Sequence, residues 1–210
     1  MGKLLTYFIT GIGTDVGKTV ASAILTEALQ ADYWKPVQSG NVESSDPMII
    51  THLISNKNTE IHPSSYSFEM PASPHFAAEK EGKEIDLENI KKPVTKNHLI
   101  IEGAGGILVP LNREKTVADL IKMLNVPVIL VSRNYLGAIN HTLLSIEVLK
   151  QKGIDIAGII YNGGNRNENI EVIESFTGVK TLGIIPDMEV LNKQSISAEA
   201  AKFASLITKI

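Results

Sequence analysis

A glycine-rich segment near the start of the chain has the residue types of a phosphate-binding loop. It runs Thr10-Gly11-Ile12-Gly13-Thr14-Asp15-Val16-Gly17-Lys18-Thr19, between an apolar run at 4–9 and a helix-compatible run at 20–29. Glycines let backbone N–H groups approach a phosphate, and the start of a helix adds partial positive charge. Lys18 adds a full positive charge, and the Thr19 hydroxyl suits a bridging Mg²⁺. The segment therefore predicts binding of a nucleoside triphosphate.

The spacing of this loop departs slightly from the usual pattern. Five residues separate Gly11 from Gly17, whereas G-x-x-x-x-G-K-[ST] has four. An ordinary glycine-rich turn is the alternative, and the strand–loop–helix order favours phosphate binding over it. Lys18 and Thr14 are also candidate catalytic residues. The loop residues predicted to bind the nucleotide are Gly13, Thr14, Asp15, Val16, Gly17, Lys18 and Thr19.

Composition narrows the class of protein. The 210 residues are 43% hydrophobic and 20% charged, which is typical of a globular protein, and we expect one domain over 1–210. The net charge of −3 gives no basic footprint for nucleic acid. The chain has no cysteine, which excludes disulfides and thiol nucleophiles. No apolar run reaches the roughly 18 residues that cross a membrane, and the first residues lack a signal-peptide pattern. We expect a cytoplasmic protein with no membrane partner.

Apolar runs alternate with helical patterns along the chain. The predicted strands are 4–9, 33–34, 98–102, 126–132, 154–161 and 181–185. The predicted helices after the first are 116–124, 136–152, 168–176 and 198–210. Several strands are apolar on both faces, as strands of a parallel sheet are when helices cover both sides. The pattern predicts an α/β fold: a doubly wound, mostly parallel sheet with helices on both faces.

The segment 62–83 interrupts this alternation, because it is rich in proline and serine. Long loops inside compact domains are uncommon and are often functional. The segment is either a lid or substrate loop or a passive surface connection, and the sequence leaves both open.

In an open α/β sheet, ligands bind outside the carboxyl ends of the strands. Lys35 follows the second strand and is expected to face the same crevice as Lys18; a solvated surface lysine is the alternative. Glu102 closes the strand 98–102, where a carboxylate is costly unless it is paired or bound to metal. Gly103, Ala104 and Gly105 follow and would let backbone approach a ligand. We favour a Mg²⁺ role for Glu102 over a glycine turn with an ion-paired glutamate.

Three further positions have two interpretations each. Asp46 would either cap a helix that begins at Pro47 or donate a carboxylate to Mg²⁺. Asn162 would either read a base edge or form a turn with the glycines that follow, and Pro186 would simply terminate a strand. The segment 136–141 opens a helix whose free N–H groups would bind a carboxylate, or it is an ordinary helix start.

Taken together, these motifs resemble the dethiobiotin synthetase family, and the resemblance covers nearly the whole chain. The motifs that carry it are the loop at 10–19, Lys35-Pro36-Val37-Gln38-Ser39-Gly40, Glu102-Gly103-Ala104-Gly105-Gly106 and Leu136-Gly137-Ala138-Ile139-Asn140-His141. The lengthened phosphate loop is expected in this family. The resemblance implies conversion of 7,8-diaminopelargonic acid, CO₂ and ATP into dethiobiotin, ADP and phosphate with Mg²⁺, in biotin synthesis. The implied intermediates are a carbamate and a carbamic-phosphoric anhydride.

The resemblance also implies residue roles. Lys18 and the loop would stabilise the transferring phosphoryl group, and Lys35 would be the catalytic lysine beside the carbamate. The implied Mg²⁺ ligands are Thr19, Asp46 and Glu102; the implied substrate contacts are Ser39 and Asp15; and the implied base contacts are Asn162 and Pro186 with residues to 188. The family is dimeric, so the segment 137–141, with Gly137 and Asn140, would bind the substrate carboxylate of a second copy.

The sequence departs from its relatives at two places, and related classes compete with this interpretation. The short connection before Trp34 predicts a short or distorted second strand, and Asp15 is one methylene shorter than the glutamate common in relatives. Regulatory ATPases of the partition or septum-site class share this fold but resemble one another in a lysine early in the loop, where this chain has Gly13. A ligase acting on cobyrinate-type acids is a further alternative, and Lys35 with the 136–141 motif favours the diamine.

Overall fold

The computed structural model describes residues 4–40, 45–164 and 167–207. Its main element is a seven-stranded sheet in the order β4-β2-β6-β1-β7-β8-β9, and every pairing in it is parallel. Its strands are β1 (Thr6–Gly11), β2 (Asp32–Trp34), β4 (Ile61–His62), β6 (Leu99–Gly106), β7 (Val128–Arg133), β8 (Ile156–Asn162) and β9 (Thr181–Ile185). A separate parallel pair consists of β3 (Val37–Ser39) and β5 (Tyr66–Phe68).

Helices cover both faces of the main sheet. They are α1 (Lys18–Leu29), α2 (Asp46–Leu53), α3 (Pro74–Lys80), α4 (Val117–Leu124), α5 (Ala138–Gln151), α6 (Asn167–Thr177) and α7 (Lys193–Ile207), with a 3₁₀ turn at Leu87–Asn89. Helices α1, α2 and α7 pack in one hydrophobic cluster, and α3 to α6 pack in the other. The doubly wound α/β prediction is confirmed. Within the described residues, no helix combines the length and hydropathy that crossing a membrane requires.

Consecutive residues of the central strands enter opposite cores, which explains their continuous apolar character. Phe8 packs with α3 to α6, whereas the neighbouring Ile9 packs with α1, α2 and α7, and both are fully buried. Ile100 and Ile101 of β6 divide in the same way. A strand with two covered faces has no place for a solvated side chain until its end. The polar residues of the central strands therefore lie at the strand ends, at the edge of the sheet where ligands bind.

Strand β6 continues beyond the predicted end at 102, so the interpretation of this segment as a glycine turn is wrong. The strand runs to Gly106, which pairs with Gly11 of β1. A Cβ at Gly103 would lie 2.7 Å from a ring carbon of Phe8, so only glycine lets the strand lie this close. Glu102 consequently lies inside a strand and its flanking backbone is fixed. The predicted short second strand is confirmed, since β2 has 3 residues.

The segment 62–83 is not the irregular loop that its composition predicted. It contains β5 and α3, and Phe68 and Ala77 are buried in the core. Residues 71–74 lie along the cleft described below. The lid interpretation stays a prediction. At the other end of the chain, α7 begins at Lys193, earlier than the predicted 198, and residues 208–210 of that prediction lie outside the described part.

Candidate active site

The carboxyl ends of the central strands open into a cleft of about 810 Å³. Most of the sequence-predicted site residues line it: Thr14, Asp15, Gly17, Lys18, Thr19, Lys35, Ser39, Asp46, Glu102, Ala104, Gly105 and Asn162. The sequence did not predict its other lining residues, Val20, Val109, Arg133 and residues 71–74. The cleft is large enough for a small organic ligand beside a phosphate chain.

The phosphate-binding loop is held in one shape by its neighbours. Gly17 caps α1 in a left-handed conformation, φ 93°, and a Cβ there would lie 1.9 Å from the Asn162 amide nitrogen. Val16 turns its side chain into the core, so only its backbone faces a ligand. The Lys18 ammonium donates to the Gly13 carbonyl at 3.0 Å. Burial lowers the pKa of Lys18, and the carboxylate of Glu102 acts in the opposite direction. The loop thus presents a helix start and a buried amine to the cleft.

Three oxygen-bearing side chains converge beside the loop. The Thr19 hydroxyl lies 2.8 Å from Asp46 Oδ1 and 3.0 Å from Glu102 Oε1. A hydroxyl carries a single proton, so it donates fully to only one of these carboxylates at a time. Mg²⁺ prefers hard oxygen ligands, and these three side chains direct such oxygens at one place. Thr19, Asp46 and Glu102 therefore fit a magnesium ion.

Lys35 is a buried cation between the two carboxylates, so the surface-lysine interpretation is wrong. Its ammonium lies 2.7 Å from Asp46 Oδ2 and 3.2 Å from Glu102 Oε1, and it also donates to the Gly103 carbonyl at 3.3 Å. Burial alone would lower the pKa of Lys35, but the charges of Glu102 and Asp46 outweigh it and raise that pKa. Lys35 therefore stays charged, and it lines the cleft, where an anionic group of a ligand would contact it.

Asp46 is not the cap of α2, so that interpretation of the sequence is wrong. Ser45 occupies the cap position, and Asp46 is the first helical residue, next to Pro47. The carboxylate of Asp46 contacts Lys35 and Thr19 across the cleft instead of the helix backbone. Burial acts to raise the pKa of Asp46, yet the nearby Lys35 charge lowers it overall. Asp46 is therefore an ionised member of the site.

Tyr33 is a member of this cluster that the sequence did not reveal. Its hydroxyl donates to Glu102 Oε2 at 3.0 Å. Burial, and then the charge of Glu102, raises the pKa of Tyr33, so its hydroxyl stays protonated. Tyr33 belongs to an apolar run in the sequence, and nothing there distinguishes it from a core aromatic. Its hydrogen bond orients Glu102 toward Thr19 and Lys35.

Two further side chains contact the outside of the loop. Asn162 donates to the Val16 carbonyl at 3.0 Å, and Arg133 donates to the Asp15 carbonyl at 3.2 Å. Asn162 therefore does more than form a turn, and its side chain makes no other hydrogen bond within the part of the chain that the structure describes. Ser39 ends β3 beside the cleft, and its hydroxyl is buried without a hydrogen-bond partner among the described residues.

Six predicted residues are not among those that line this cleft: Gly13, Val16 and Gly103 belong to segments that border it, and Gly137, Asn140 and Pro186 lie away from it. Gly137 caps α5 and is exposed, as is Asn140 in the first turn of that helix. Pro186 follows β9 and is also exposed. Of these last three residues, none lines the cleft of its own chain in the described structure. Their assignment to a substrate or a base stays a prediction.

A parallel sheet, a glycine-rich loop before a helix, and a lysine with two acidic residues define a P-loop ATP-binding enzyme. The AAA domain model matches residues 5–195. The cell division ATPase MinD of Pyrococcus furiosus is similar in fold, at 18% identity, TM-score 0.63 and coverage of 100% of this chain and 99% of that chain. The ParA family ATPase of Chlorobium tepidum has 15% identity and TM-score 0.58, covering 99% and 98% of the two chains. These likenesses show the fold.

Curated relatives define the family more closely. The ATP-dependent dethiobiotin synthetase BioD of Christiangramia forsetii is 48% identical over 204 residues, 97% of this chain and 98% of the relative. That of Cytophaga hutchinsonii is 50% identical over 197 residues, 93% and 95% of the two chains. The chain belongs to the ATP-dependent dethiobiotin synthetase family. It is a ligase whose cofactors are ATP and Mg²⁺.

Proposed function

We propose that this protein joins CO₂ to 7,8-diaminopelargonic acid at the expense of ATP, giving dethiobiotin, ADP and phosphate. The observation that supports this most directly is the position of Lys35, buried between Asp46 and Glu102 beside the phosphate-binding loop. A fixed cation there suits a reaction that brings a carbamate anion against a phosphoryl group.

The reaction proceeds in three steps. One substrate amine attacks CO₂ and loses a proton, which gives a carbamate. A carbamate oxygen attacks the γ-phosphorus of ATP, and ADP leaves, which gives a carbamic-phosphoric anhydride. The second amine attacks the carbamoyl carbon, and the C–O bond to phosphate breaks. The ureido ring closes, and one amine proton is released with inorganic phosphate.

The residues of the cleft divide this work. Lys18, with Thr14 and the loop N–H groups, stabilises charge on the transferring phosphoryl group, and Lys35 neutralises the carbamate and its mixed anhydride with phosphate. Thr19, Asp46 and Glu102 hold Mg²⁺, which neutralises charge on the phosphates when bound. Tyr33 and Lys35 fix the carboxylate of Glu102 through hydrogen bonds at 3.0 and 3.2 Å.

The remaining assignments concern the ligands. Ser39 and Asp15 contact the diamine, and the buried hydroxyl of Ser39, which has no hydrogen-bond partner among the described residues, supports its part in this. The other nucleotide contacts that we propose are Gly13, Val16, Gly17, Gly103, Ala104, Gly105, Asn162 and Pro186.

We also propose the organisation of the protein. Residues 1–210 form one catalytic domain, in keeping with a family model that spans 5–195. The protein acts as a homodimer in which Gly137 and Asn140 of a second copy bind the substrate carboxylate. Three large hydrophobic residues, Tyr135, Leu136 and Leu144, are exposed at and near this helix start, which supports an interface there. The protein acts in the cytoplasm, where ATP is available.

Phosphate release tests the proposed function. Purified protein with ATP and Mg²⁺ is assayed with and without 7,8-diaminopelargonic acid and bicarbonate, and dethiobiotin is quantified by mass spectrometry. We expect phosphate and dethiobiotin in equal amounts, only when both additions are present. Release that is indifferent to the diamine would overturn the ligase assignment and favour a regulatory ATPase.

A further inference from the structure

The last residues of two neighbouring strands donate hydrogen bonds to consecutive carbonyls of the phosphate-binding loop. Arg133 is the last residue of β7 and Asn162 is the last residue of β8, and the two are register partners in the sheet. Arg133 donates to the carbonyl of Asp15, and Asn162 donates to the carbonyl of Val16. Residues directly opposite on adjacent strands point to the same side, so the loop is held at two adjacent points.

The residue held by Arg133 has a backbone conformation that it does not favour. Asp15 is left-handed, with φ 56°, a conformation that is unfavourable for most residues other than glycine. On its other side, Val16 is anchored in the core. The carbonyl of Asp15 accepts the hydrogen bond from Arg133 in this conformation, so the guanidinium helps to stabilise the left-handed form.

The side chain of Asp15 lines the cleft, within a loop built to bind anions. A carboxylate is repelled by phosphates, so its favourable partner in this place is a cation such as a substrate ammonium group. Among the described residues, no ion pair or hydrogen bond engages this carboxylate, and the guanidinium of Arg133 contacts only the main chain of Asp15. Arg133 therefore holds the backbone from which the carboxylate projects and makes no hydrogen bond to the carboxylate itself among the described residues.

We propose that Arg133 is a positioning residue for the amine substrate. It acts through the Asp15 carbonyl, which it holds so that the carboxylate meets a substrate ammonium group. The proposal rests on the proposed function, since the cationic ligand of Asp15 is taken to be the diamine.

Substitution of Arg133 tests the proposal, because it should change the KM for the diamine much more than the KM for ATP. We expect Arg133→Ala to raise the KM for the diamine about five- to tenfold, while the KM for ATP and kcat change less than about twofold. Arg133→Lys keeps a charged donor and should restore most of the loss. Arg113→Ala is the matched control, because Arg113 is an exposed arginine that pairs with Glu79 outside the cleft.

A second variant shows whether the effect passes through Asp15. In an Asp15→Asn background, which lacks the carboxylate, Arg133→Ala should raise the diamine KM no further. An increase confined to the KM for ATP, equal increases in both constants, or additive effects with Asp15→Asn would each overturn the proposal.

Calorimetric titration of the wild-type protein with the diamine, in the presence of Mg²⁺ and a non-hydrolysable ATP analogue, separates the two hypotheses. No diamine binding would overturn the proposed function and this role of Arg133 with it. Diamine binding that Arg133→Ala leaves unchanged would overturn only the role of Arg133.

Discussion

Strand β2 has a cluster of ionisable side chains at each of its ends. At its carboxyl end, Lys35 lies against Asp46 and Glu102 beside an open cleft. At its amino end, Asp32 lies 3.3 Å from His62, whose other ring nitrogen is 3.6 Å from Glu60. Each cluster contains two carboxylates and a basic side chain. The amino-end cluster even has the composition of a metal site, with three candidate ligand atoms within 4.8 Å of one another.

The two clusters differ in how fully their carboxylates are hydrogen-bonded. Asp32 accepts from the Glu60 backbone N–H, the Asn97 amide, the Thr95 hydroxyl and His62, which occupy its lone pairs. Burial acts to raise the pKa of Asp32, but these hydrogen bonds, with Thr95 first, lower it overall. At the carboxyl end, Asp46 and Glu102 share the Lys35 ammonium and the single hydroxyl proton of Thr19, and among the described residues only Glu102 has a further donor, the Tyr33 hydroxyl. In the structural cluster, each lone pair of Asp32 has its own hydrogen-bond donor. In the reactive cluster, two carboxylates beside a cleft share their donors.

The largest effect should come from removing the cation at the carboxyl end. Lys35→Ala should lower diamine-dependent phosphate release by about 10²–10³-fold, because the carbamate loses its fixed positive charge. It should also lower the free energy of unfolding by about 3 kcal/mol, because Asp46 and Glu102 would face each other without a cation. Steady-state assays and urea unfolding measure the two effects, with the exposed Lys83→Ala as the control. A variant that kept most of the wild-type turnover would remove Lys35 from the reaction.

A smaller effect, on the Mg²⁺ dependence of activity, should distinguish the acidic residues of the two clusters. Glu102→Gln should raise the Mg²⁺ concentration for half-maximal activity by about tenfold or more, because a neutral amide is a weaker ligand for a hard cation. Glu60→Gln makes the same change at an exposed glutamate of the amino-end cluster and should leave the titration unchanged. Activity measured against Mg²⁺ at fixed ATP gives both values. Equal midpoints for Glu102→Gln and the wild type would contradict a ligand role.

Much of the carboxyl-end cluster was predictable from the sequence. Lys35 and Glu102 lie just after or within an apolar run, and Lys18 lies in the glycine-rich loop that follows another; in a parallel sheet the ends of such runs meet at one edge. This rule needs only the order of strands and the fact that all are parallel. It brought together residues as distant in sequence as 18 and 102 without any knowledge of their contacts.

The residues that the sequence did not reveal depend on register and on local packing. Tyr33 contacts Glu102, and Arg133 contacts the phosphate-binding loop, because of the register of their strands. The composition of an apolar run does not indicate that register. The glycines at 103 and 106 suggested a turn, yet close packing against Phe8 and Gly11 keeps them in β6. Strand β5 and α3 were hidden by the prolines and serines around them. Local composition cannot show such tertiary contacts.

The smallest effect on catalysis should come from the amino-end cluster. Asp32→Asn replaces an accepting oxygen with a donor among groups that already donate, so we expect a loss of about 2–3 kcal/mol in the free energy of unfolding. The values of kcat and KM should not change at temperatures where the variant is folded. Because the folded pKa of Asp32 is lowered, its contribution is complete above the ordinary aspartate pKa of 3.8 and is lost as the pH falls below it. The difference in stability between wild type and variant should therefore narrow below about pH 4.

Asp155→Asn is the control for this measurement, because Asp155 is exposed and the change should cost less than about 0.5 kcal/mol. Urea unfolding of the three proteins at several values between about pH 7 and pH 3 gives the comparison. A constant difference across this range would show that the Asp32 carboxylate is not specifically stabilised in the folded protein. A fall in kcat for Asp32→Asn would show that the two ends of β2 are coupled, and the distinction between a structural and a reactive cluster would then be wrong.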